Sequence, residues 1–355
     1  MSDKIRVKLI SKNNIAPFQL FDLPQHFLQI EFVLDAASRA YDWLVVYDDL
    51  PPKKQERLSV AVEPLACPPE NTILLTYEPA SIKFYGQDYV DQFAMVLTSH
   101  EDEALRHRNR HIVPPVGVWY YGELAAMQAH PTPPPKSKNL SCFHSLKQQK
   151  HTLHQARHDF MHKLIDALGA GIDVYGRNFQ PVQHKQAGMD AYRYHLAVEN
   201  HIGTYHWTEK LSDCFLAYNL PFYVGCPRYM DYFPPQSVIP LDIRQPKTAL
   251  KIIREAMANN EYEKRLPAII EARRRVIEDY NLGNVLGGAI VAELARRDNV
   301  PLMPNDKNID GKILSRHAML RHSLAHFSRY AVAKLVRKNR NKKFWHSYMQ
   351  QREDS

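Results

Sequence analysis

Tyr192-Arg193-Tyr194-His195-Leu196-Ala197-Val198-Glu199-Asn200 runs into His201-Ile202-Gly203-Thr204-Tyr205-His206-Trp207, and then into Thr208-Glu209-Lys210-Leu211. The first run is apolar and aromatic and reads as a strand ending in Glu-Asn. The second is a short polar loop. Thr208 then opens a helix, its hydroxyl suited to capping the first turn. Strand, loop and helix in this order form one unit of a βα fold. The unpaired N–H groups and positive dipole end of such a helix suit a phosphate. Lys210, in the first turn, opposes that dipole at a cost of about 0.3–1 kcal/mol unless an anion stands in front of it. An exposed lysine tolerated by solvent is the plainer account, and residue type alone leaves both open.

Outward from this stretch the same alternation recurs. Downstream, Phe222–Val224 and Ser237–Leu241 read as strands, Thr208 to Tyr218 as a helix, and Pro246 to Arg297 as mostly helical. Upstream, Ile172–Tyr175 is a strand and Leu153 to Leu168 a helix. Before these, His130-Pro131-Thr132-Pro133-Pro134-Pro135-Lys136 can continue neither a helix nor a central strand, since proline fixes φ and lacks an N–H. It reads as an interdomain linker, with a rigid loop inside one domain as the alternative. The first part of the chain has strand-like runs at Ile5–Ile10, Trp43–Tyr47, Thr72–Thr76 and Phe93–Thr98, with a helix expected from Pro24 to Tyr41. The expected class is α/β: two Rossmann-like domains facing a cleft in a GT-B-like arrangement. The expected segments are an N-terminal domain over 1–130, a linker over 131–137, a second domain over 138–300 and a tail over 301–355.

The tail differs in composition. From Gly311 to Arg352 it has no Asp or Glu. Ile313, Leu320, Leu324, Phe327, Ala331 and Leu335 would share one helical face, with Arg316, Arg321, Arg329, Lys334, Arg337 and Lys338 around it. Such a basic amphipathic helix over 311–346 can lie on an anionic membrane, or pack its stripe on the protein and leave a solvated basic face.

The whole chain, 355 residues with a net charge of +8 and a pI near 9.1, favours an anionic partner. Cys67, Cys142, Cys214 and Cys226 lie far apart without a CxxC pair, which argues against a zinc site or a disulfide framework. The N-terminus reads as a strand, not a signal peptide, and no run approaches the roughly 20 apolar residues of a membrane span. These features place the protein in the cytoplasm, with a peripheral position on the inner membrane left open.

The central run resembles the signature of glycosyltransferase family 10, the α-1,3/4-fucosyltransferases. That family carries Tyr-Lys-Phe-x-Leu-x-Phe-Glu-Asn, a loop, and Val-Thr-Glu-Lys opening a helix. The spacing from Glu199-Asn200 to Thr208-Glu209-Lys210 matches without a gap. Asp173-Val174-Tyr175-Gly176-Arg177 upstream, and Pro221 to Gly225 with Pro227, Tyr229, Pro235 and Ser237 downstream, extend the likeness over about residues 140–245. The resemblance implies a GT-B fold, inverting transfer and GDP-fucose as donor, bound mainly by the second domain. It implies Lys210 and Arg157 on the diphosphate, Glu209 on the ribose, and Glu199, Asn200, His206 and Thr208 around the donor. It also implies Glu78, in Leu75-Thr76-Tyr77-Glu78-Pro79, as the general base; an ordinary acid in a turn before proline is the alternative. His206 stands where the family usually has tyrosine and Trp207 where it has an aliphatic residue, which puts the donor sugar in question.

His195, His201 and His206 lack the helical spacing of a zinc enzyme, so no metal site is expected. No cofactor is required, though Mn or Mg could stimulate loosely through the diphosphate. The acceptor expected is a glycan hydroxyl, as on a lipopolysaccharide O-chain, and nucleic acid is not expected as a partner. Two rivals remain: transfer of another nucleotide-linked deoxy sugar, and a degenerate transferase fold that binds membrane or nucleic acid through its basic tail.

Overall fold

The computed structural model describes residues 4–12, 25–27, 29–53, 58–116, 119–123, 131–145, 153–299 and 311–321, together with a few single positions. The described chain forms two compact α/β units. The first draws on residues before Pro115 and returns from Leu286 onward; the second spans Val116–Val285.

The first unit holds β1 (Ile5–Ser11), β2 (Ile30–Val33), β3 (Trp43–Tyr47), β4 (Val62–Pro64), β5 (Thr72–Leu75), β6 (Met95–Thr98) and β7 (Arg110–Ile112), with a short α1 (Gln87–Val90). Six of these strands form one sheet in the order β2-β1-β3-β5-β6-β7, and every pairing is parallel. β3, β5 and β6 are buried at every position. Their continuous Val, Leu and Ile runs are what a parallel strand covered on both faces requires.

The second unit contains β8 (Lys138–Phe143), α2 (His154–Leu168), β9 (Asp173–Tyr175), β10 (Tyr192–Val198), α3 (Glu209–Leu216), β11 (Leu220–Val224), β12 (Ile239–Pro240), α4 (Pro246–Ala258) and α5 (Glu261–Glu278). Its sheet order is β12-β11-β10-β8-β9, again all parallel. Counted in chain order within each sheet, both units run 2-1-3-4-5, the first with a sixth strand added. In each, the order reverses between the first and third strands. That reversal opens a crevice at the strands' carboxyl ends, where open α/β sheets bind ligands. In the second unit it falls between β8 and β10.

The two-unit α/β architecture matches expectation, but several boundaries move. The Pro-rich stretch belongs to the second unit. Lys136 Nζ donates to the carbonyls of Asp190 (2.8 Å) and Ala217 (2.6 Å), and Tyr218 Oη donates to that of Pro131 (2.7 Å). Prolines here stiffen a packed entry into β8. The helix expected from Pro24 to Tyr41 does not form among the described residues 25–27 and 29–41, which hold β2 instead, its Ile-Glu-Phe-Val composition suiting an edge strand beside β1. Pro246 to Arg297 is helical in three pieces, the third being α6 (Leu282–Asn299), during which the chain passes back to the first unit.

That return also corrects the expected tail. Ile313 lies in β13 (Lys312–Leu314), antiparallel to β4, and is fully buried with Leu314, Ala318 and Met319 in the first unit's core. α7 (Arg316–Arg321) follows. Arg316 is not a solvated charge: its backbone N–H donates to Asp49 Oδ1 (3.1 Å) and its Nη1 to the carbonyl of Phe84 (2.8 Å). Leu324, Phe327, Arg329, Lys334, Arg337 and Lys338, which complete the expected amphipathic stripe, fall outside the described residues. Among the described residues, no helix is long and apolar enough to cross a membrane.

Candidate active site

The reversal point of the second sheet is a pocket of about 280 Å³. β8 ends into it through Phe143, His144 and Ser145, and β10 through Leu196, Ala197 and Val198. Four cationic side chains line it, Arg157, Arg177, Lys185 and Lys210, against two carboxylates, Glu209 and Asp213.

Glu199 lies outside the pocket's lining and organises the strand end beside it. It is 1% exposed, at the end of β10. Its carboxylate accepts from the Thr208 backbone N–H (2.9 Å) and from the Thr208 hydroxyl (2.7 and 2.9 Å), with Tyr223 Oη at 3.4 Å. Burial pushes this carboxyl above the usual range, and nearby Lys210 only partly opposes it. The neighbouring chain must come very close: a Cβ on Gly225 would meet Tyr223 Oη at 2.2 Å and Glu199 Cγ at 2.6 Å. Thr208 caps α3 as expected, accepting from the Lys210 backbone N–H at 3.3 Å. Glu199 thus holds the loop through the cap.

Lys210 Nζ lies 3.1 Å from Glu209 Oε1 and 3.6 Å from Glu199 Oε2. These two carboxylates offset the dipole cost of a lysine in the first helical turn. Burial disfavours the charge on Lys210, but Glu209 and Glu199 outweigh it and hold the ammonium well above the usual lysine range. Glu209 shows the converse: burial resists ionisation, yet Lys210 and then Lys185 pull its carboxyl down to about 2.

Arg157, buried on α2, donates from Nε to the carbonyl of Val198 (3.0 Å) and from Nη2 to that of Phe143 (3.3 Å). It ties together the ends of the two strands that flank the reversal, using two of its five N–H donors. Asn200 and His206 do not line this pocket. Asn200 Oδ1 is buried without a hydrogen-bond partner among the described residues. His206 is buried and its ring meets His201 edge-on at 5.4 Å, inside a turn that Gly203 closes. Trp207 packs in the core against Tyr232, Phe233 and Tyr280. The two departures from the family pattern therefore shape the loop and the core beneath it. His195 Nδ1 lies 2.8 Å from Ser141 Oγ, and burial holds its imidazole down at about 3.

Glu78 belongs to the first unit. It is half-buried beyond the carboxyl end of β5, and its backbone carbonyl lies 2.8 Å from His100 Nε2.

The sequence reading missed Lys185 and Asp213. Lys185 Nζ donates to Asp213 Oδ2 (2.6 Å) and stands 5.3 Å from the centre of the Tyr120 ring. Asp213 Oδ1 accepts the backbone N–H groups of Tyr120 (3.0 Å) and Tyr121 (3.1 Å). Burial works against Lys185's charge, but Asp213 and Glu209 keep it above its usual value. The available signal was Asp213 four residues beyond Glu209, which puts both on one face of α3. Lys185 sits in a short turn and gave none.

Residues 133–264 match the family model "Glycosyltransferase family 10 (fucosyltransferase) C-term". The protein is a glycosyltransferase. The family 10 match covers the sheet from β8 to β12 and every donor-side residue of the pocket. No curated protein matches the chain. Among solved structures, an α1,3-fucosyltransferase with GDP-fucose is 14% identical, with 84% of this chain and 92% of that one covered and a TM-score of 0.48. AviGT4, a glycosyltransferase of avilamycin A biosynthesis, is 12% identical, with 82% and 97% covered and a TM-score of 0.40. A DNA-modifying β-glucosyltransferase is 8% identical, with 82% and 100% covered and a TM-score of 0.42.

Proposed function

We propose that this enzyme is an inverting fucosyltransferase, moving fucose from GDP-fucose to a hydroxyl of a surface glycan. The observation that carries the reading is the cationic pocket at the reversal point of the family 10 sheet. Four cations over two carboxylates leave an excess of two positive charges for a diphosphate. A pocket near the lower end of the roughly 300–1,000 Å³ of ligand sites holds the diphosphate and part of the donor rather than all of it.

On this reading Lys210 neutralises the charge that grows on the leaving diphosphate, a contact worth most when charge is developing and water is excluded. Arg157 keeps the strand ends at the right spacing and turns its remaining donors to the phosphates. Glu209, ionised at neutral pH, accepts from a ribose hydroxyl. Glu78 is the general base. The acceptor oxygen attacks the anomeric carbon from the face opposite the nucleotide, its proton passes to the Glu78 carboxylate, and GDP leaves with the bonding pair. Mn or Mg would act only through the diphosphate.

Calorimetric titration with GDP, GDP-fucose, GDP-mannose, UDP-sugars and dTDP-sugars at moderate salt tests the proposal. Selective binding of GDP-fucose is the expected result. Selective binding of another nucleotide sugar overturns the donor, and no binding of any overturns the transferase site.

A further inference from the structure

A second cluster of ionisable side chains shares His144 with the lining of this pocket and adds two histidines of α2 that do not line it. His158 and His162 are four apart on α2, so their imidazoles lie one turn apart on one face, tilted by 46° with ring centres 4.2 Å apart. His144, just past the end of β8, brings its ring to 5.8 Å from His158 and 5.2 Å from His162. One ring nitrogen from each of the three lies within 4.8 Å of the others. His144 is held by its main chain: its N–H donates to the Tyr175 carbonyl (2.8 Å), and a Cβ on Gly176 would lie 2.2 Å from its own carbonyl oxygen.

His144 is 2% exposed, and neither of its ring nitrogens has a hydrogen-bond partner among the described residues. Nε2 of His162 is buried in the same condition. A neutral imidazole carries one donor and one acceptor, and burying both unmet is costly. The unmet nitrogens of His144 and His162 converge with the ring of His158, the latter two at the i, i+4 spacing of helical metal ligands.

We propose that His144, His158 and His162 form a binding site for a late first-row divalent metal such as Zn²⁺ or Co²⁺. Three imidazoles leave a fourth position for water or an exchangeable ligand. An all-nitrogen set favours Zn²⁺, Co²⁺, Ni²⁺ or Cu²⁺ over Mg²⁺ and Mn²⁺, which take oxygen ligands. His158 Nδ1 lies 3.3 Å from Asp159 Oδ1, the carboxylate–histidine pairing common around metal-bound imidazoles. The metal would pin α2, which carries Arg157, to the end of β8. The site stands whether or not the donor is GDP-fucose.

The test uses the full chain without a histidine tag, stripped with a chelator and titrated with Co²⁺ by visible absorption and with Zn²⁺ by calorimetry. One equivalent of Co²⁺ should develop d–d bands that Zn²⁺ abolishes, with no comparable response to Mg²⁺. Zn²⁺ should raise the melting temperature by about a few degrees. His158→Gln and His162→Gln, both half-buried, should fold as judged by circular dichroism. Each should lose more affinity than the roughly 10–100-fold that removing a supporting group costs. His184→Gln, exposed elsewhere on this unit, should change nothing. Absence of stoichiometric uptake by the folded chain, or uptake that both variants retain, overturns the proposal.

Discussion

Lys210 concentrates the chemistry of the pocket at one atom. Lys210→Ala should weaken GDP binding by about 10–100-fold, the worth of one charge-assisted contact, with Glu209 and Glu199 left uncompensated. Calorimetry reads this directly, and an unchanged Kd would remove Lys210 from the diphosphate. Glu78→Gln should leave GDP affinity intact and lower kcat by about 10²–10⁴; retained turnover would assign the proton to another acid. Glu209 gives a pH signature. Its folded-state carboxyl, at about 2, lies below its unfolded value of 4.5, so its contribution is complete above about pH 4.5. That contribution falls as the pH drops toward 2. Urea denaturation of wild type and Glu209→Gln should therefore differ most above pH 4.5 and converge below it. Lys210 and Glu209 were legible in the sequence because one turn of helix fixes their separation. Lys185 was not, because it reaches Asp213 across 28 positions of chain.

Among elements, the β10–loop–α3 unit does most to define the site. Glu199 ends the strand and Thr208 begins the helix, and their mutual hydrogen bonds set the angle at which α3 leaves the sheet. Gly225, at the end of β11, lets the neighbouring strand pass against Glu199. Gly225→Ala should destabilise the protein by about 1–3 kcal/mol through overpacking and weaken GDP binding with it. Thermal melting and calorimetry together check this; lost stability with unchanged affinity would separate the glycine from the site. The order of strand, loop and helix was readable from alternation and capping chemistry. β8 was not, because Lys138–Phe143 is short and closely follows prolines that read as a linker. Yet β8 supplies one wall of the pocket and His144 of the three-histidine cluster.

Over the whole molecule, the chain leaves the first unit near Pro115 and comes back through α6. Arg297 fixes the return, donating from Nη1 to Asn71 Oδ1 (2.7 Å) and from Nη2 to the Glu70 carbonyl (2.6 Å), with its guanidinium 5.1 Å from the centre of the Trp43 ring. β13 then closes on β4. Ile313→Ala should cost about 2–5 kcal/mol, since its side chain is wholly buried. Truncation before Lys312 should lower the melting temperature. Truncation after Arg321, which keeps β13 and α7, is the form with which to ask, by liposome flotation, whether the basic segment binds anionic lipid.

By itself the sequence determined the local chemistry: which runs are strands buried on both faces, where Thr208 starts a helix, and which acid and base stand side by side on its first turn. These follow from periodicity and from contacts a few residues apart. Tertiary structure alone decided what meets across the sheet. Parallel strands are joined by long crossovers, so neighbours such as β8 and β10 are remote in sequence. The Arg157 tie between their ends, the Lys185–Asp213 pair, the three converging histidines and the return of Ile313 to the first core all depend on that closure.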